Sequence, residues 1–358
     1  MPARLNYSPA QLQLSDGTVF NGFSFGYNSE VDGEVVFNTG MVGYPESLTD
    51  PSYRGQILVY TYPLIGNYGA PAMVNLESDR IHLRGIIVAQ YEANYSHWEA
   101  TRSLRDWLIA EKIPALTGID TRALTLKLRQ HGVMLGRITQ RATSGSSAKP
   151  KILDPNSINL AAEASCLEPR LYGRGSKEVI VVDCGVKLSI IRALQQRGIK
   201  VKRVPWDYNF LPELDRVAGV LLSNGPGDPA MCKATIEHVK AAQRFNKPIF
   251  GICLGSQIQG LAAGAKTYKL KFGHRAQNQP CVIEGTKRCL LTSQNHGFAV
   301  AERTLPKSWK VWFRNANDQS VEGIYHKTKP WRSVQFHPEA SPGPTDANYL
   351  FDEFVRSL

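Results

Sequence analysis

The stretch Pro248–Gly260 reads PIFGICLGSQIQG and decides the fold of the second half of the chain. Its first residues form a short apolar run, typical of a buried parallel strand, and a helical pattern begins near Gln257. Cys253 lies at the junction, with Gly251 and Gly255 two residues to either side. This is the pattern of a nucleophile elbow, a sharp strand-to-helix turn that exposes its reactive atom at the edge of a sheet. The stretch therefore predicts a doubly wound α/β domain with a cysteine nucleophile.

A partner base for Cys253 lies far downstream. Residues 331–339 read WRSVQFHPE, an apolar run of strand character that leads into His337 and Glu339. In an extended segment residues two apart point the same way, so the carboxylate can orient the imidazole. Together with the elbow, this predicts a triad in which Cys253 is the nucleophile, His337 the general base and Glu339 the orienting group. A buried structural cysteine and an ordinary His-Pro-Glu loop are the alternative interpretation.

A glycine-rich turn follows another apolar strand. Residues 221–229 read LLSNGPGDP. Gly225 and Gly227 allow backbone N–H groups to turn towards an incoming oxyanion without obstruction by side chains. By itself this stretch is ordinary turn chemistry. Beside the other two stretches, it predicts an oxyanion-binding turn.

Strand and helix patterns alternate through the second half of the chain. Strands are predicted at 178–183, 201–204, 219–222 and 248–252, and helices at 188–196 and 234–245. Such alternation is typical of a doubly wound sheet, whose site lies beyond the carboxyl ends of the strands. Asn224–Asp228, Cys253 and His337 each follow an apolar strand. We therefore expect all three at the same edge of the sheet.

The first 140 residues show a different pattern. Short strand candidates and helical periodicity at 101–111 and 121–128, without β–α–β alternation, predict an α+β domain. The long polar connection 39–54 is predicted to be functional, because loops of that length inside a domain usually are. A Ser/Gly-rich break begins at Arg141. We predict an N-terminal domain at 1–140, a linker at 141–176 and the α/β domain at 177–358.

Charge and composition exclude several functional classes. The net charge is +11, and residues 1–150 hold 13 basic and 13 acidic side chains, so the whole excess belongs to residues 151–358. No recognised nucleic-acid module accompanies it, which favours a solvated basic face or one that meets an acidic protein partner. No apolar run approaches a membrane span, and the first residues lack the apolar core of a signal peptide. The six cysteines show no zinc-type spacing and are predicted to be reduced thiols in the cytoplasm.

Six stretches together resemble the carbamoyl-phosphate synthetase small-subunit family of class I glutamine amidotransferases. They are 39–69 (TGMVGYPESLTDPSYRGQILVYTYPLIGNYG), 118–132 (GIDTRALTLKLRQHG), 223–230 (SNGPGDPA), 251–255 (GICLG), 293–300 (SQNHGFAV) and 336–344 (FHPEASPGP). The resemblance covers nearly the whole chain. Its first domain is the most discriminating part, because other class I amidotransferases share the triad but not that domain. The sequence is most similar to that of the eukaryotic pyrimidine-pathway form, in which this unit is the N-terminal part of a much longer multifunctional polypeptide.

The resemblance implies roles for individual positions. It assigns the triad to Cys253, His337 and Glu339, and the oxyanion contacts to the backbone N–H groups of Leu254 and Gly225. The positions that match glutamine-binding residues of the family are Ser52, Gly227, Gln257, Asn295, Gly297 and Phe298. Ser52 would reach the site from the first domain, which would explain the long 39–54 connection. Asn295 and Ser52 are otherwise ordinary turn residues.

The implied activity is hydrolysis of glutamine through a cysteine thioester, with ammonia passed to a synthetase that makes carbamoyl phosphate from ATP and bicarbonate, for pyrimidine or arginine synthesis. The sequence contains no Walker loop and no metal-ligand cluster, so no cofactor is expected in this chain, and ATP and Mg²⁺ are expected on the synthetase subunit or domain. One departure is Ser256, where the family usually has His. Ala276 and Gln277 also depart from the family pattern. The alternative function is therefore a catalytically weak structural or regulatory subunit of the same synthetase.

Overall fold

The computed structural model describes residues 7–73, 76–140 and 152–358. They form two compact units, Met1–Ser157 and Ile158–Leu358. The predicted fold class, an α/β amidotransferase-type domain after a mixed α and β domain, is confirmed. The first eleven residues of the predicted linker, 141–151, lie outside the described residues.

A closed barrel forms the first unit. Its strands are β1 (Ser8–Leu14), β2 (Val19–Ser24), β3 (Val31–Asn38), β4 (Gln56–Tyr60), β7 (Gly85–Ile87), β10 (Ala115–Thr117) and β11 (Met134–Thr139), in the order β1-β11-β3-β4-β7-β10-β2. Two small sheets pair β5 (Leu64–Ile65) with β8 (Gln90–Tyr91) and β6 (Ala70–Pro71) with β9 (Ala100–Arg102). The helices are α1 (Tyr44–Thr49), α2 (Leu104–Ala110) and α3 (Thr121–His131).

The barrel corrects the sequence-based expectation for this unit in two respects. Strands β3, β4, β7 and β10 pair in parallel, although no β–α–β alternation marks them in the sequence. The connection 39–54 is not an open loop, because it contains α1 and a 3₁₀ turn at Pro51–Tyr53. Both pieces are largely buried, so this segment packs as part of the unit. Helix α3 begins as predicted, with the Asp120 side chain accepting from the Ala123 N–H.

A ten-stranded sheet forms the second unit. Its strands are β12 (Arg170–Tyr172), β13 (Lys177–Asp183), β14 (Ile199–Pro205), β15 (Gly219–Leu222), β16 (Ile249–Ile252), β17 (Thr267–Ile283), β18 (Cys289–Val300), β19 (Trp309–Asn315), β20 (Val321–His326) and β21 (Trp331–Val334). The order is β12-β14-β13-β15-β16-β21-β20-β19-β17-β18, and β14, β13, β15, β16 and β21 run parallel. The helices are α4 (Leu160–Ala164), α5 (Leu188–Gln195), α6 (Lys233–Ala242), α7 (Leu254–Ala262) and α8 (Tyr349–Ser357).

Two apolar layers cover the sheet. One contains Ile180, Leu222 and Ile258, and the other contains Val181, Ile252 and Phe351. Alternate residues of the parallel strands therefore face opposite layers, as expected for strands buried on both sides.

The second half of the predicted linker is not a linker. Helix α4 buries Leu160, Ala161 and Ala164, and β12 pairs antiparallel with β14. These elements are so short that helical or strand periodicity does not emerge from the sequence. Another difference is the long β17–β18 hairpin. The sequence predicts only two short strands there, at 281–283 and 289–292, because the polar outer residues of the hairpin mask the alternation.

Candidate active site

Cys253 lies at the sharp turn between β16 and α7. It has φ 54° and ψ −105°, a conformation outside the usual regions for a residue with a side chain. The Cys253 N–H donates to the Val334 carbonyl at 2.8 Å, which joins the turn to β21. Backbone strain of this kind is typical of functional sites, where the surrounding structure holds the residue in place. The nucleophile elbow therefore has the geometry that its sequence predicts.

Both flanking glycines are required by close backbone contacts. A Cβ added to Gly251 would lie 2.6 Å from the carbonyl oxygen of Gly255. A Cβ added to Gly255 would lie 2.2 Å from the carbonyl oxygen of Leu222. Any side chain at either position would therefore push the elbow away from β15 or open the turn itself.

His337 and Glu339 lie together beyond the carboxyl end of β21. Nδ1 of His337 lies 2.6 Å from Oε1 of Glu339, and the His337 N–H donates to the Ser293 carbonyl at 2.9 Å. Both residues are buried, at 2% and 7% exposure. Nε2 of His337 has no hydrogen-bond partner within the described part of the chain, and Cys253 interacts with the ring electrostatically. The imidazole is thus held by Glu339 on one side and left available on the other.

Lys187, which follows β13, forms an ion pair with Glu339, which follows β21, at the same edge of the sheet. Its Nζ lies 3.1 Å from Oε1 of Glu339 and donates to the carbonyl oxygen of Ala340 at 2.6 Å. The Lys187 N–H donates to the side chain of Asn224 at 3.0 Å, which ties this segment to the turn after β15. The ion pair is buried, so it makes the position of the Glu339 carboxylate specific.

Electrostatics favour the charged forms of His337 and Glu339. Burial by itself would lower the pKa of His337, but the charges of Glu339 and Cys253 raise it to about 10. Burial would raise the pKa of Glu339, but Lys187 and His337 lower it to about 2. The imidazolium and the carboxylate therefore stabilise one another at neutral pH.

The two predicted oxyanion positions adjoin each other. A Cβ added to Gly225 would lie 2.8 Å from Cδ2 of Leu254 and 2.1 Å from the carbonyl oxygen of Cys184. Leu254 is the first residue of α7, where backbone N–H groups have no partner within the helix. The structure thus places the two backbone segments side by side at the elbow.

The predicted glutamine-binding positions of the second unit lie around the elbow. Sγ of Cys253 lies 3.7 Å from the carbonyl oxygen of Asn295. Nε2 of Gln257 donates to the Phe298 carbonyl at 2.8 Å and to Oε1 of Gln335 at 3.1 Å. These bonds connect α7 to β18. Gly297 also lies on β18. Gly227, in the turn after β15, has φ 86° and lies against Leu160.

Ser52 belongs to the first unit. It is buried in the 3₁₀ turn Pro51–Tyr53, and its N–H donates to Asp50 at 2.9 Å. Its role in glutamine binding stays a prediction.

Ser256 lies beneath the elbow. Its hydroxyl hydrogen-bonds to the hydroxyl of Ser333 at 2.9 Å, and both residues are buried. The two small side chains thus connect α7 to β21 at the position where the family usually has His. Sequence reasoning treats Ser256 as a lost imidazole and does not anticipate its partner.

Sequence reasoning also misses Lys187 and Gln335. Lys187 follows β13 at the same carboxyl edge as the other site residues, so the edge rule that selects Cys253 and His337 could have found it. Gln335 follows β21 and lies two residues before His337. No spacing in the sequence connects it to Gln257.

Two family models match the chain. Residues 12–138 match "Carbamoyl-phosphate synthase small chain, CPSase domain", and residues 180–357 match "Glutamine amidotransferase class-I". A carbamoyl phosphate synthase arginine-specific small chain from Aspergillus oryzae is 46% identical over 366 residues, which cover 99% of this chain and 81% of that protein. The chain belongs to the carbamoyl-phosphate synthase small-chain family.

Parts of much longer multifunctional proteins are also similar to this chain. The multifunctional protein CAD of Squalus acanthias is 52% identical over 97% of this chain, and pyr1-3 of Dictyostelium discoideum is 48% identical over 99%. The chain spans only 16% and 17% of the length of these two relatives. Among solved structures, a putative GMP synthase subunit from Thermoplasma acidophilum is 28% identical, with a TM-score of 0.45, over 51% of this chain and 93% of that one. Among the residues that the structure describes, no helix is both long and apolar enough to cross a membrane.

Proposed function

We propose that this small chain hydrolyses L-glutamine to glutamate and ammonia and supplies the ammonia to a carbamoyl-phosphate synthetase. The observation that carries the proposal is the assembly of Cys253, His337 and Glu339 at one edge of the sheet, with the cysteine on a strained elbow. The small-chain and amidotransferase family matches support the same activity.

The proposed reaction has two covalent steps. The Cys253 thiolate attacks the side-chain amide carbon of glutamine, and the resulting oxyanion accepts from the N–H groups of Leu254 and Gly225. The His337 imidazolium then protonates the leaving nitrogen, so the C–N bond breaks and ammonia departs. In the second step His337 removes a proton from water, which attacks the thioester, breaks the C–S bond and releases glutamate. Glu339 keeps the imidazole oriented throughout.

The residues proposed to hold the glutamine substrate are Ser52, Gly227, Gln257, Asn295, Gly297 and Phe298. We assign the ATP-dependent and Mg²⁺-dependent steps to a synthetase large subunit or domain, with no cofactor needed for glutamine hydrolysis itself. The product would serve pyrimidine or arginine synthesis, as the names of the multifunctional and arginine-specific relatives suggest. The predicted cytoplasmic location belongs to the same proposal, and the six free cysteines are compatible with it.

The test is glutamate release by the purified chain with and without a synthetase partner. Cys253→Ser and His337→Asn should each reduce hydrolysis to background, and Glu339→Ala should reduce it less, because an orienting group contributes less than the nucleophile or the base. Cys289→Ser is the matched control, because Cys289 is an exposed free thiol. Hydrolysis by Cys253→Ser at the parent rate would refute the mechanism.

A structural or regulatory role within the synthetase is the second candidate, and Ser256 is the observation that favours it. If the parent chain releases no glutamate even with the partner, while Cys253→Ser binds that partner equally well, this second function is supported.

A further inference from the structure

A buried group of metal-ligand side chains lies outside the triad. It consists of His274 on β17, His296 on β18 and Glu322 on β20, and one ligand atom of each lies within 4.8 Å of the others. Their exposures are 8%, 4% and 0%. The three residues lie on different strands, so zinc-type spacing in the sequence could not reveal them.

Two ring nitrogens and two oxygens face each other at the centre of this cluster. Nδ1 of His274 lies 2.8 Å from Oε1 of Gln294 and 3.2 Å from Oε1 of Glu322. Nε2 of His296 lies 3.1 Å and 3.7 Å from the same two oxygens. Each nitrogen therefore contacts both oxygens.

The outer nitrogen of each ring also meets an acceptor. Nε2 of His274 lies 2.9 Å from Oδ2 of Asp318, and Nδ1 of His296 lies 2.9 Å from the carbonyl oxygen of Phe298. A neutral imidazole that donates to its outer acceptor presents a lone pair from its inner nitrogen. This is the arrangement around metal-bound histidines, whose second N–H donates to a carboxylate or a backbone carbonyl.

The orientation of the Gln294 amide is fixed by its other contacts. The Thr292 hydroxyl donates its hydrogen to the Gln279 carbonyl at 2.8 Å. It can therefore only accept from Gln294, whose Nε2 lies 3.1 Å away. Nε2 also lies 3.2 Å from Sγ of Cys281. The amide oxygen consequently points into the cluster.

Protons alone satisfy these groups poorly. Both imidazoles would need to be doubly protonated to donate to every acceptor, and that would place two cationic rings 4.9 Å apart in a buried site. With neutral rings, inner nitrogen lone pairs face oxygen lone pairs, and the amide nitrogen of Asn315 reaches Nδ1 of His274 only at a long 3.4 Å. Oε2 of Glu322 is also buried without a hydrogen-bond partner in the described part of the chain. A cation at the centre would bind the inner lone pairs of both rings and of the Oε1 atoms of Gln294 and Glu322.

We propose that His274, His296 and Glu322 bind a divalent transition-metal ion of the zinc type, with the Gln294 amide oxygen at the fourth position. Zinc bonds of about 2.0–2.1 Å in a tetrahedron place neighbouring ligand atoms about 3.3 Å apart. The four nitrogen–oxygen distances, 2.8 to 3.7 Å, bracket that value. Imidazole and carboxylate ligands suit zinc and related ions.

The metal site would support the glutamine pocket. His296 lies between Asn295 and Gly297, and the Phe298 carbonyl accepts from both His296 and Gln257. An ion on His296 would thus fix the strand whose neighbouring residues are proposed to hold glutamine. This consequence rests on the proposed function. We expect metal removal to raise KM for glutamine and to leave kcat nearly unchanged.

The test measures metal independently of glutamine hydrolysis. The full chain, stripped with a chelator, is titrated with Zn²⁺ alone by calorimetry, and the metal content of chain purified without chelator is measured by elemental mass spectrometry. We expect about one equivalent in the parent chain, and its loss in Glu322→Gln and His274→Asn. His131→Asn, at an exposed position in α3, is the matched control and should bind zinc as the parent does.

Two further variants keep the test decisive. Asp318→Asn changes an exposed residue whose Oδ2 contacts the outer nitrogen of His274, while its Oδ1 accepts from the N–H and the hydroxyl of Ser320. This variant should weaken zinc binding about 10–100-fold, and it serves as the test if the ligand variants fail to fold. Cys253→Ser should keep its equivalent of zinc, which separates this site from the triad thiol. In the parent chain Co²⁺ should bind without the ultraviolet band of thiolate coordination.

The proposal is overturned if the parent chain neither contains nor binds zinc, in which case the cluster is a hydrogen-bond network. It is also overturned if Asp318→Asn and the two ligand variants all bind as tightly as the parent. A chain that binds zinc but releases no glutamate would refute the proposed function and leave the metal site standing.

Discussion

The buried ion pair between Lys187 and Glu339 gives a quantitative test of how the site is held together. Nζ and Oε1 lie 3.1 Å apart, with side-chain exposures of 3% and 0%. At an effective dielectric constant of about 20, the Coulomb energy at this distance is about 5 kcal/mol. Removing one partner of a buried pair typically costs about 3–5 kcal/mol, because the other charge stays buried without compensation. His337 still faces Glu339, so we expect Lys187→Met to lower the free energy of unfolding by about 3 kcal/mol.

The matched control is a surface pair on the neighbouring strands. Nζ of Lys200 lies 2.7 Å from Oε2 of Glu178, closer than in the buried pair, but the side chains are 36% and 24% exposed. Water screens this pair, so Lys200→Met should cost at most about 1 kcal/mol. The comparison separates the effect of burial from that of distance.

The assay is unfolding in urea, monitored by hydrogen–deuterium exchange of peptides from β16 and β21. These peptides report the stability of the second unit alone. Lys187→Met should also lower kcat for glutamine hydrolysis more than it changes KM, because the loosened carboxylate orients His337 less well. Equal losses of stability in Lys187→Met and Lys200→Met would refute the electrostatic reasoning.

Two more predictions concern the same site. The pKa of Glu339 is about 2 in the folded chain and 4.5 ordinarily, so its contribution to stability is complete above about pH 4.5 and is lost as the pH falls through about 2. Glu339→Gln should therefore reduce the loss of unfolding free energy at acid pH, which is measured by urea titrations at several pH values. An unchanged dependence of the unfolding free energy on pH would contradict the assignment. Ser256→Ala should cost about 1–3 kcal/mol, because it leaves the Ser333 hydroxyl buried without its partner. Ser256→His should cost a similar amount by overpacking, and a histidine variant that is stable and hydrolyses glutamine faster would show that this position faces the active site instead.

The elbow and the parallel strands around it could be predicted from the sequence because their determinants are local. Strand β15 begins and ends at the predicted residues, and β13 differs by one residue at its start. The apolar runs, the glycines beside Cys253 and the two-residue spacing of His337 and Glu339 all lie within single short segments. The structure of each segment can therefore be predicted from its own residues, without knowledge of the rest of the chain.

The barrel of the first unit could not be predicted in the same way. Strands β3, β4, β7 and β10 pair in parallel, but regular helices do not alternate with them. The sequence therefore shows no regular change from strand to helix periodicity that would mark each crossover connection. Helix α1 has only six residues, with Pro45 in its first turn, and its helicity depends on burial rather than on propensity. Pairing partners in such a sheet are a tertiary property.

Lys187 and the metal-ligand cluster depend on contacts between distant residues. Lys187 meets Glu339 across 152 positions of sequence, and His274 meets Glu322 across 48. A lysine after a strand and a histidine in a hairpin carry no local sign of such partners. Only the order of the strands in the sheet brings them together.

The pairing of β17 with β18 places two histidines and a glutamine together. His274 is opposite His296 in the ladder, and Ala276 is opposite Gln294. Residues two apart share a face of the hairpin, so these four side chains lie on the same side. The Gln294 amide oxygen lies 2.8 Å from Nδ1 of His274 and 3.1 Å from Nε2 of His296. The register of the ladder therefore brings three of the four proposed metal ligands to one face of the hairpin.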